Sequence, residues 1–216
     1  MIGDFHIHTK YSYDSLNDPK KVVKIAKKRG LDTIAVTDHD CIRGALIAKK
    51  YEGDEITVIP GIERKTDAGD IIGLNVTESI KSIHWRDVID EIHSLGGIAV
   101  LPHPYRGHKN ILELAKNVDL IEIWNSRSKP NDNMRALELA EMLKKGVIAG
   151  SDAHTYSEIG NTAIFIEYLG AREFRFLSKK LAKRTEKVFS YLVGDIKRRR
   201  FNLIPYHLSL LIRIRK

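Results

Sequence analysis

Short apolar runs rich in β-branched residues alternate along this chain with stretches of helical periodicity. Each run has the length of a buried strand. The runs are residues 2–7, 33–37, 56–60, 71–76, 98–101, 120–124, 147–149 and 162–166. Strands that alternate with helices form parallel sheets through right-handed crossovers. The pattern therefore predicts an α/β fold, and this number of strands predicts a closed or nearly closed barrel.

Amphipathic helices are predicted between several of the strands, at residues 18–28, 85–94 and 131–144. The first of them carries Pro19 in its first turn, where helices accept proline. No Pro/Gly/Ser-rich linker divides the chain, and 216 residues suit one α/β domain of the larger kind.

Charge separates the end of the chain from the rest. The net charge is +8, but residues 171–216 hold 14 lysines and arginines against 3 acidic residues, whereas residues 1–170 hold 22 against 25. We predict a barrel over residues 1–170 and a basic helical C-terminal extension over residues 171–216, with one helix or two at 172–191. The extension is either a solvated helical cap or a site for a polyanion, nucleic acid or anionic membrane. The apolar residues 201–214 either pack over the base of the barrel or lie on a membrane surface.

Several protein classes are excluded by the composition. Cys41 is the single cysteine, so a disulfide framework is ruled out. Residues 1–10 lack the basic and apolar segments of a signal peptide, and no run approaches the 18 or so apolar residues of a membrane span. The expected location is the cytoplasm.

Histidine and acidic residues follow five of the predicted strands. The segments are His6-Ile7-His8, Thr37-Asp38-His39-Asp40, Gly61-Ile62-Glu63, Leu101-Pro102-His103 and Gly150-Ser151-Asp152-Ala153-His154. In α/β barrels the carboxyl ends of the strands build the active site. Burying so many imidazoles and carboxylates together is costly without a cation. Because imidazole and carboxylate suit Zn²⁺, Mn²⁺ or Fe²⁺, the set predicts a metal site.

The order of these motifs resembles the PHP family, whose name stands for polymerase and histidinol phosphatase. The matching motifs are residues 6–14, 37–40, 61–63, 103–104 and 150–154, and the resemblance spans residues 1–166. It implies a distorted, seven-stranded, TIM-like (β/α) barrel. It also implies a centre of two or three divalent metal ions and the hydrolysis of phosphate esters.

The resemblance also implies roles for individual residues. The metal ligands are His6, His8 and Asp152 for the first ion, Glu63 as the bridge to the second, His103 for the second, and Asp14, His39 and His154 for the third. Glu63, His103 and Asp152 are the expected catalytic residues. Asp14 stands where some members have histidine. Asp70 stands where members often have another histidine ligand, so either Asp70 binds the second ion or that site is weak or empty.

Substrate contacts are expected from Arg106, Asn125 and Arg127, which follow two of the predicted strands. Arginine can hold a phosphate group through two parallel hydrogen bonds. Asp38 and Asp40 flank His39 and are candidates for orienting its ring.

The predicted function is that of a metal-dependent phosphoesterase that uses a metal-activated hydroxide. The substrate is a nucleotide or another small phosphomonoester or diester. Two alternatives stay open: an exonuclease-like phosphodiesterase that acts on nucleic acid, and a non-enzymatic, metal-stabilised module tethered to nucleic acid or membrane through residues 171–216. Hydrolysis of another bond, such as an amide, by the same kind of centre is a third alternative.

Overall fold

All eight apolar runs form strands in the computed structural model, which describes residues 1–212. The strands are β1 (Ile2–Ile7), β2 (Thr33–His39), β3 (Thr57–Thr66), β4 (Gly69–Leu74), β5 (Ile98–Leu101), β6 (Leu120–Asn125), β7 (Gly146–Gly150), β8 (Thr162–Ile166) and β9 (Phe174–Lys179). They form one sheet in the order β7-β6-β5-β4-β3-β2-β1-β8-β9. The predicted α/β class is therefore confirmed, but the expected count of seven strands is wrong, since nine lie within residues 1–212.

The helices lie between the strands and after the sheet. They are α1 (Pro19–Lys28), α2 (Arg43–Lys49), α3 (Trp85–Ser94), α4 (Ile111–Asn117), α5 (Pro130–Leu143), α6 (Arg184–Lys197) and α7 (Ile204–Ile212), with a 3₁₀ turn at Phe201–Leu203. The three helices predicted from periodicity correspond to α1, α3 and α5. None of the described helices is long and apolar enough to cross a membrane.

Strand direction departs from the all-parallel expectation. β1, β2 and β3 are parallel, as are β5, β6 and β7, but β4 runs antiparallel to both of its neighbours. Only Asp67 and Ala68 separate β3 from β4, and Gly69 adopts φ +130°. A connection this short forms a hairpin, because a parallel crossover needs a dozen or more residues.

The sheet curls until its two parallel halves meet. Residues that follow β7 pair with the end of β1: the amide of His8 donates to the carbonyl of Ala153 (2.9 Å), and the amide of Ala153 donates to the carbonyl of His6 (3.3 Å). The barrel-like sheet is thereby nearly closed. Apolar side chains of its strands, such as Phe5, Ile34 and Ile121, are fully buried. The carboxyl ends of the parallel strands surround one mouth.

The segment after residue 171 begins with a strand instead of the predicted helix. Phe174–Lys179 pairs antiparallel with β8, and its residues alternate between half-buried and exposed, with Phe174 and Phe176 on the inner side. This period of two is the spacing of a strand. Helix α6 then crosses beside the barrel mouth, while α7 contacts α6 and has no buried residue. Residues 213–214, the end of the predicted apolar run, lie outside the described residues.

Candidate metal centre

Five strands and the segments that follow them bring the predicted ligands into one pocket at the barrel mouth. His6 lies in β1 and His8 directly after it, and both rings are buried. His39 at the end of β2 stands beside Glu63 in the strand register of β3. The segments after β5 and β7 supply the other ligands, His103, Asp152 and His154. The resulting convergence agrees with the sequence-based expectation for these positions.

The carboxylate of Glu63 lies at the centre of the pocket and touches four imidazoles. Its Oε2 lies 3.2 Å from His6 Nε2, 3.3 Å from His8 Nε2 and 3.2 Å from His39 Nδ1. Its Oε1 lies 2.9 Å from His103 Nε2. Burial by itself would raise the pKa of Glu63, but the surrounding imidazoles, His39 and His6 first, hold that pKa well below its usual range. A carboxylate in this position can bridge neighbouring cations.

Asp152 approaches the same imidazoles from the β7 side. Its Oδ1 lies 3.1 Å from His8 Nε2 and 3.5 Å from His6 Nε2. Its Oδ2 accepts a hydrogen bond of 2.6 Å from Arg106 Nη2. Burial opposes ionisation here as well, but His6 and Arg106 hold the pKa of Asp152 well below its usual range. The carboxylate is therefore charged and oriented toward the histidines.

A second part of the pocket surrounds Asp14. Oδ2 of Asp14 lies 2.9 Å from His154 Nε2 and 3.5 Å from His39 Nε2. The hydroxyl of Ser12 donates to Oδ1 of Asp14 over 2.7 Å. The ring of His8 packs against both His39 and His154, with centroids 4.6 and 4.2 Å apart. Asp14 thus lies beside two imidazoles, and its role as a ligand stays a prediction.

These side chains fit divalent cations. Their ligand atoms form three overlapping groups in which all atoms lie within 4.8 Å of one another: His8, Asp14, His39 and His154; His6, Glu63 and His103; and His6, His8 and Asp152. Around a tetrahedral zinc with bonds of about 2.0–2.1 Å, neighbouring ligand atoms are roughly 3.3 Å apart. The contacts of 2.9–3.5 Å around Glu63, Asp152 and Asp14 have this spacing. Imidazole and carboxylate suit Zn²⁺, Mn²⁺ and Fe²⁺ alike, so the donor set selects the class of ion and leaves its identity open.

Two of the predicted ligands are held in strained backbone conformations. His103 has φ 30° and Asp152 has φ 53°, in the left-handed region that non-glycine residues avoid. Each such residue costs about 1–3 kcal/mol, and residues of this kind cluster at functional sites. In both cases the strain turns the chain just after a strand, which aims the side chain into the mouth.

Glu122 supports the cluster from beneath, and the sequence-based reasoning did not identify it. Its Oε1 lies 3.0 Å from His6 Nδ1, and its Oε2 accepts from the amide of His103 (2.8 Å) and from Asn125 Nδ2 (3.0 Å). Metal-binding histidines usually donate their second ring nitrogen to a carboxylate in this way. A signal was present in the sequence, because a glutamate inside an apolar strand run must find a buried partner.

Asp38 and Asp40 make their contacts away from His39. Asp38 accepts from the amide and the hydroxyl of Thr9, each at 2.5 Å, while Asp40 pairs with Arg64 over 2.6 Å. Asp38 therefore fixes the loop after β1 instead of orienting the ring of His39.

Two of the three predicted substrate residues face the pocket. Arg106 spans Asp152 and Asn125 through its two terminal nitrogens, and 38% of its side chain is exposed. Arg127 is turned away: its guanidinium donates to Glu158 (2.8 Å), to the hydroxyl of Ser190 (2.8 Å) and to a carbonyl of α6. In this arrangement Arg127 joins α6 to the barrel.

Asp70 lies close to the cluster but outside its three ligand groups. Burial, and then the charge of Glu63, raise the pKa of its carboxyl. Its backbone carbonyl accepts from His108 Nε2 over 2.8 Å. Asp70 as a ligand of the second ion stays a prediction.

Comparison with known proteins adds independent information. The sequence profile of the PHP domain matches residues 4–195. An uncharacterized protein of Methanocaldococcus jannaschii, MJ0417, is 31% identical over 192 residues, which cover 83% of this chain and 76% of that protein.

Two solved structures share the fold. One is a two-domain protein from Bacteroides vulgatus containing a predicted PHP-like metal-dependent phosphoesterase, with a TM-score of 0.71, 18% identity, and coverage of 89% of this chain and 69% of that one. The other is an amidohydrolase from Chromobacterium violaceum with bound sulfate, with a TM-score of 0.64, 16% identity, and coverage of 87% and 96%. At these identities the likeness concerns the fold alone.

Proposed function

The chain belongs to the PHP domain family, and from this premise we propose that it is a metal-dependent phosphoesterase that hydrolyses a small phosphate ester. The ions would be held by the eight predicted ligands, with Glu63 as the bridge. The observation that carries the proposal is the contact of one buried carboxylate with four imidazoles, beside an arginine that reaches solvent.

Two or three divalent ions in this pocket would lower the pKa of a water molecule and neutralise charge on the phosphoryl oxygens. The protein's own groups prepare the pocket for such ions. Glu63 and Asp152 supply the negative charge that cations need, and their buried setting keeps competing water away. The rings of His6 and His8 enter the pocket from the same end of β1.

Arg106 is the group best placed to bind the substrate's phosphate. Its guanidinium is anchored on Asp152 and Asn125 while part of the side chain stays exposed. Anchoring in this way orients the remaining N–H groups before the substrate arrives, and a guanidinium matches phosphate oxygens geometrically. We assign phosphate binding to Arg106 and the orientation of Arg106 to Asn125.

Helix α6 favours a small substrate over a polymer. Lys197 Nζ donates to the carbonyls of Lys10, Ser12 and Ser15 over 2.7–2.9 Å, which fixes α6 on the loop that carries Asp14. Near the other end of α6, Lys187 Nζ donates to the carbonyl of Arg127 over 2.7 Å. The helix therefore covers one side of the mouth, so a terminal phosphate on a small molecule or nucleotide reaches the pocket more readily than a duplex.

The test combines metal analysis with a phosphate-release screen over nucleotides, sugar phosphates and aryl phosphates. The wild-type protein should hold divalent metal and release phosphate. A His8→Ala variant should lose both, whereas His93→Ala, which changes an exposed histidine paired with Asp119, should keep both. Full activity in the His8→Ala variant would place the site elsewhere. Hydrolysis of amides with no phosphate release would replace the proposed reaction.

A single-turnover experiment in heavy-oxygen water examines the direct attack of water on phosphorus. One label in the released phosphate is expected. Release of unlabelled phosphate would show that water attacks carbon instead, and the proposed displacement at phosphorus would be wrong.

A further inference from the structure

Helix α7 presents an apolar stripe to solvent. Pro205, Leu208 and Ile212 follow one another at intervals of three and four residues, which places them on one face of α7, and Phe201 lies in the 3₁₀ turn directly before that helix. All four are exposed, with Phe201 at 60% and Ile212 at 81%. In an ordinary surface helix this stripe would face the protein interior, so the orientation of α7 needs a separate explanation.

A polar contact fixes this orientation. Nδ1 of His207 lies 2.6 Å from the carboxylate of Asp195, a buried residue of α6, and the rings of His207 and Tyr191 lie 5.1 Å apart. Leu210 and Leu211 are half-buried on the same side. The polar contact therefore holds α7 against α6 with the apolar stripe directed outward.

The charge around the stripe identifies its partner. Residues 196–216 contain seven lysines and arginines and no acidic residue. Arg199 and Arg200, just before the stripe, are exposed. A second copy of this face would bring like charges together in a symmetric interface. Nucleic acid would satisfy the charge but leave the aliphatic side chains in water. An anionic lipid surface satisfies both, because the stripe enters the acyl boundary and the arginines meet the headgroups.

We propose that α7 docks this protein on an anionic membrane surface, lying in the plane of the interface. Within residues 1–212, α7 has nine residues, roughly 14 Å, which is less than half the thickness of a hydrocarbon core, so the proposed position of these nine residues is on the surface of the bilayer. The docking function is separate from the proposed hydrolysis, since α7 contributes no residue to the metal centre.

Co-sedimentation of the full chain with vesicles tests the proposal. The probe is vesicles of equal parts phosphatidylglycerol and phosphatidylcholine, compared with phosphatidylcholine alone. Wild-type protein should bind the anionic vesicles only. L208S/I212S should weaken binding on the order of tenfold or more, because two aliphatic side chains no longer enter the lipid. R199Q/R200Q should weaken it by about fivefold per arginine.

Matched controls use exposed residues of other helices. M134S/M142S changes two exposed apolar residues of α5, and K24Q/K28Q changes two exposed lysines of α1. Both controls should bind like wild type, and all variants should keep the wild-type circular dichroism and turnover of a soluble ester.

Three results would overturn the proposal. The first is absence of vesicle binding, or a loss that is equal in the controls. The second is a wild-type protein that binds no vesicles but forms a dimer without lipid, which the L208S/I212S changes convert to a monomer. That result would show that the stripe contacts a second copy of the chain. The third is oligonucleotide binding that depends on Arg199 and Arg200 in a protein that ignores vesicles.

Discussion

Replacing Glu122 by glutamine is the most informative perturbation of the candidate metal centre. The carboxylate meets His6 Nδ1, the amide of His103 and the side chain of Asn125 at 2.8–3.0 Å. The Glu122→Gln variant keeps the volume but removes the charge, and one amide nitrogen replaces an oxygen that accepted an N–H. His6 becomes a weaker base, and the backbone of His103 or the side chain of Asn125 loses a partner.

The magnitude follows from these contacts. Losing a carboxylate that supports a metal-binding histidine costs about 10–100-fold in metal affinity, or roughly 1.4–2.7 kcal/mol. An unsatisfied buried donor adds about 1–3 kcal/mol to the cost of folding. We therefore expect the variant to fold, to be less stable, and to bind divalent metal at least about tenfold more weakly than wild type.

The assay is competition for Zn²⁺ or Mn²⁺ against a coloured chelator, with urea unfolding of the metal-free proteins measured in parallel. Glu141→Gln on the exposed face of α5 is the matched control and should leave both quantities unchanged. A folded Glu122→Gln protein with wild-type metal affinity would show that the contact with His6 does not tune the site.

Other predictions address the packing and chemistry of the same pocket. Gly150→Ala should destabilise the protein by about 3 kcal/mol in urea unfolding, because the new Cβ would overlap the Cβ of His6 and lie 2.9 Å from its backbone nitrogen. Removing metal with a chelator should lower the melting temperature by roughly 10 °C, because the protein would lose about 4 kcal/mol of stability that metal binding supplies. An unchanged melting curve would count against a resident metal. Arg106→Lys should lower kcat/KM for a phosphomonoester by about a hundredfold, since the ammonium cannot hold Asp152 and phosphate together. Burial, and then the charge of His103, lower the pKa of His108 to about 4. Because the unfolded chain then binds a proton that the folded protein does not, the stability contributed by the neutral His108 is complete above pH 6.5 and is lost as the pH falls from 6.5 toward 4. Urea titrations across that interval should show His108→Gln losing less stability than wild type, by up to about 3 kcal/mol.

Local sequence patterns predicted much of the site, for a specific reason. Residues at the end of a strand share one edge of the sheet whatever the sheet's exact curvature, so His6, His39 and Glu63 could be expected to meet. The spacing of His6 and His8 likewise places both rings on one side of β1. Such inferences need only the period of the strand and the direction of the chain.

Contacts across the sheet required the folded chain. The partner of Arg127 proved to be Glu158 and the hydroxyl of Ser190, and neither is near it in sequence. Glu122 reaches His6 across 116 positions of the chain. Which side chains meet at such separations depends on strand register and on how far the sheet curls, and neither is written in a local pattern.

The α/β class and the approximate positions of the eight apolar strands could be predicted from the amino-acid sequence, because they follow from periodicities of two and 3.6 residues. The full list of candidate ligands, which includes Asp14, rested also on the resemblance to the PHP family. The antiparallel direction of β4 follows from its two-residue connection to β3. The pairing of β9 with β8 and the outward orientation of the α7 stripe, held by His207 and Asp195, depend on how whole elements pack, and no local periodicity specifies that packing.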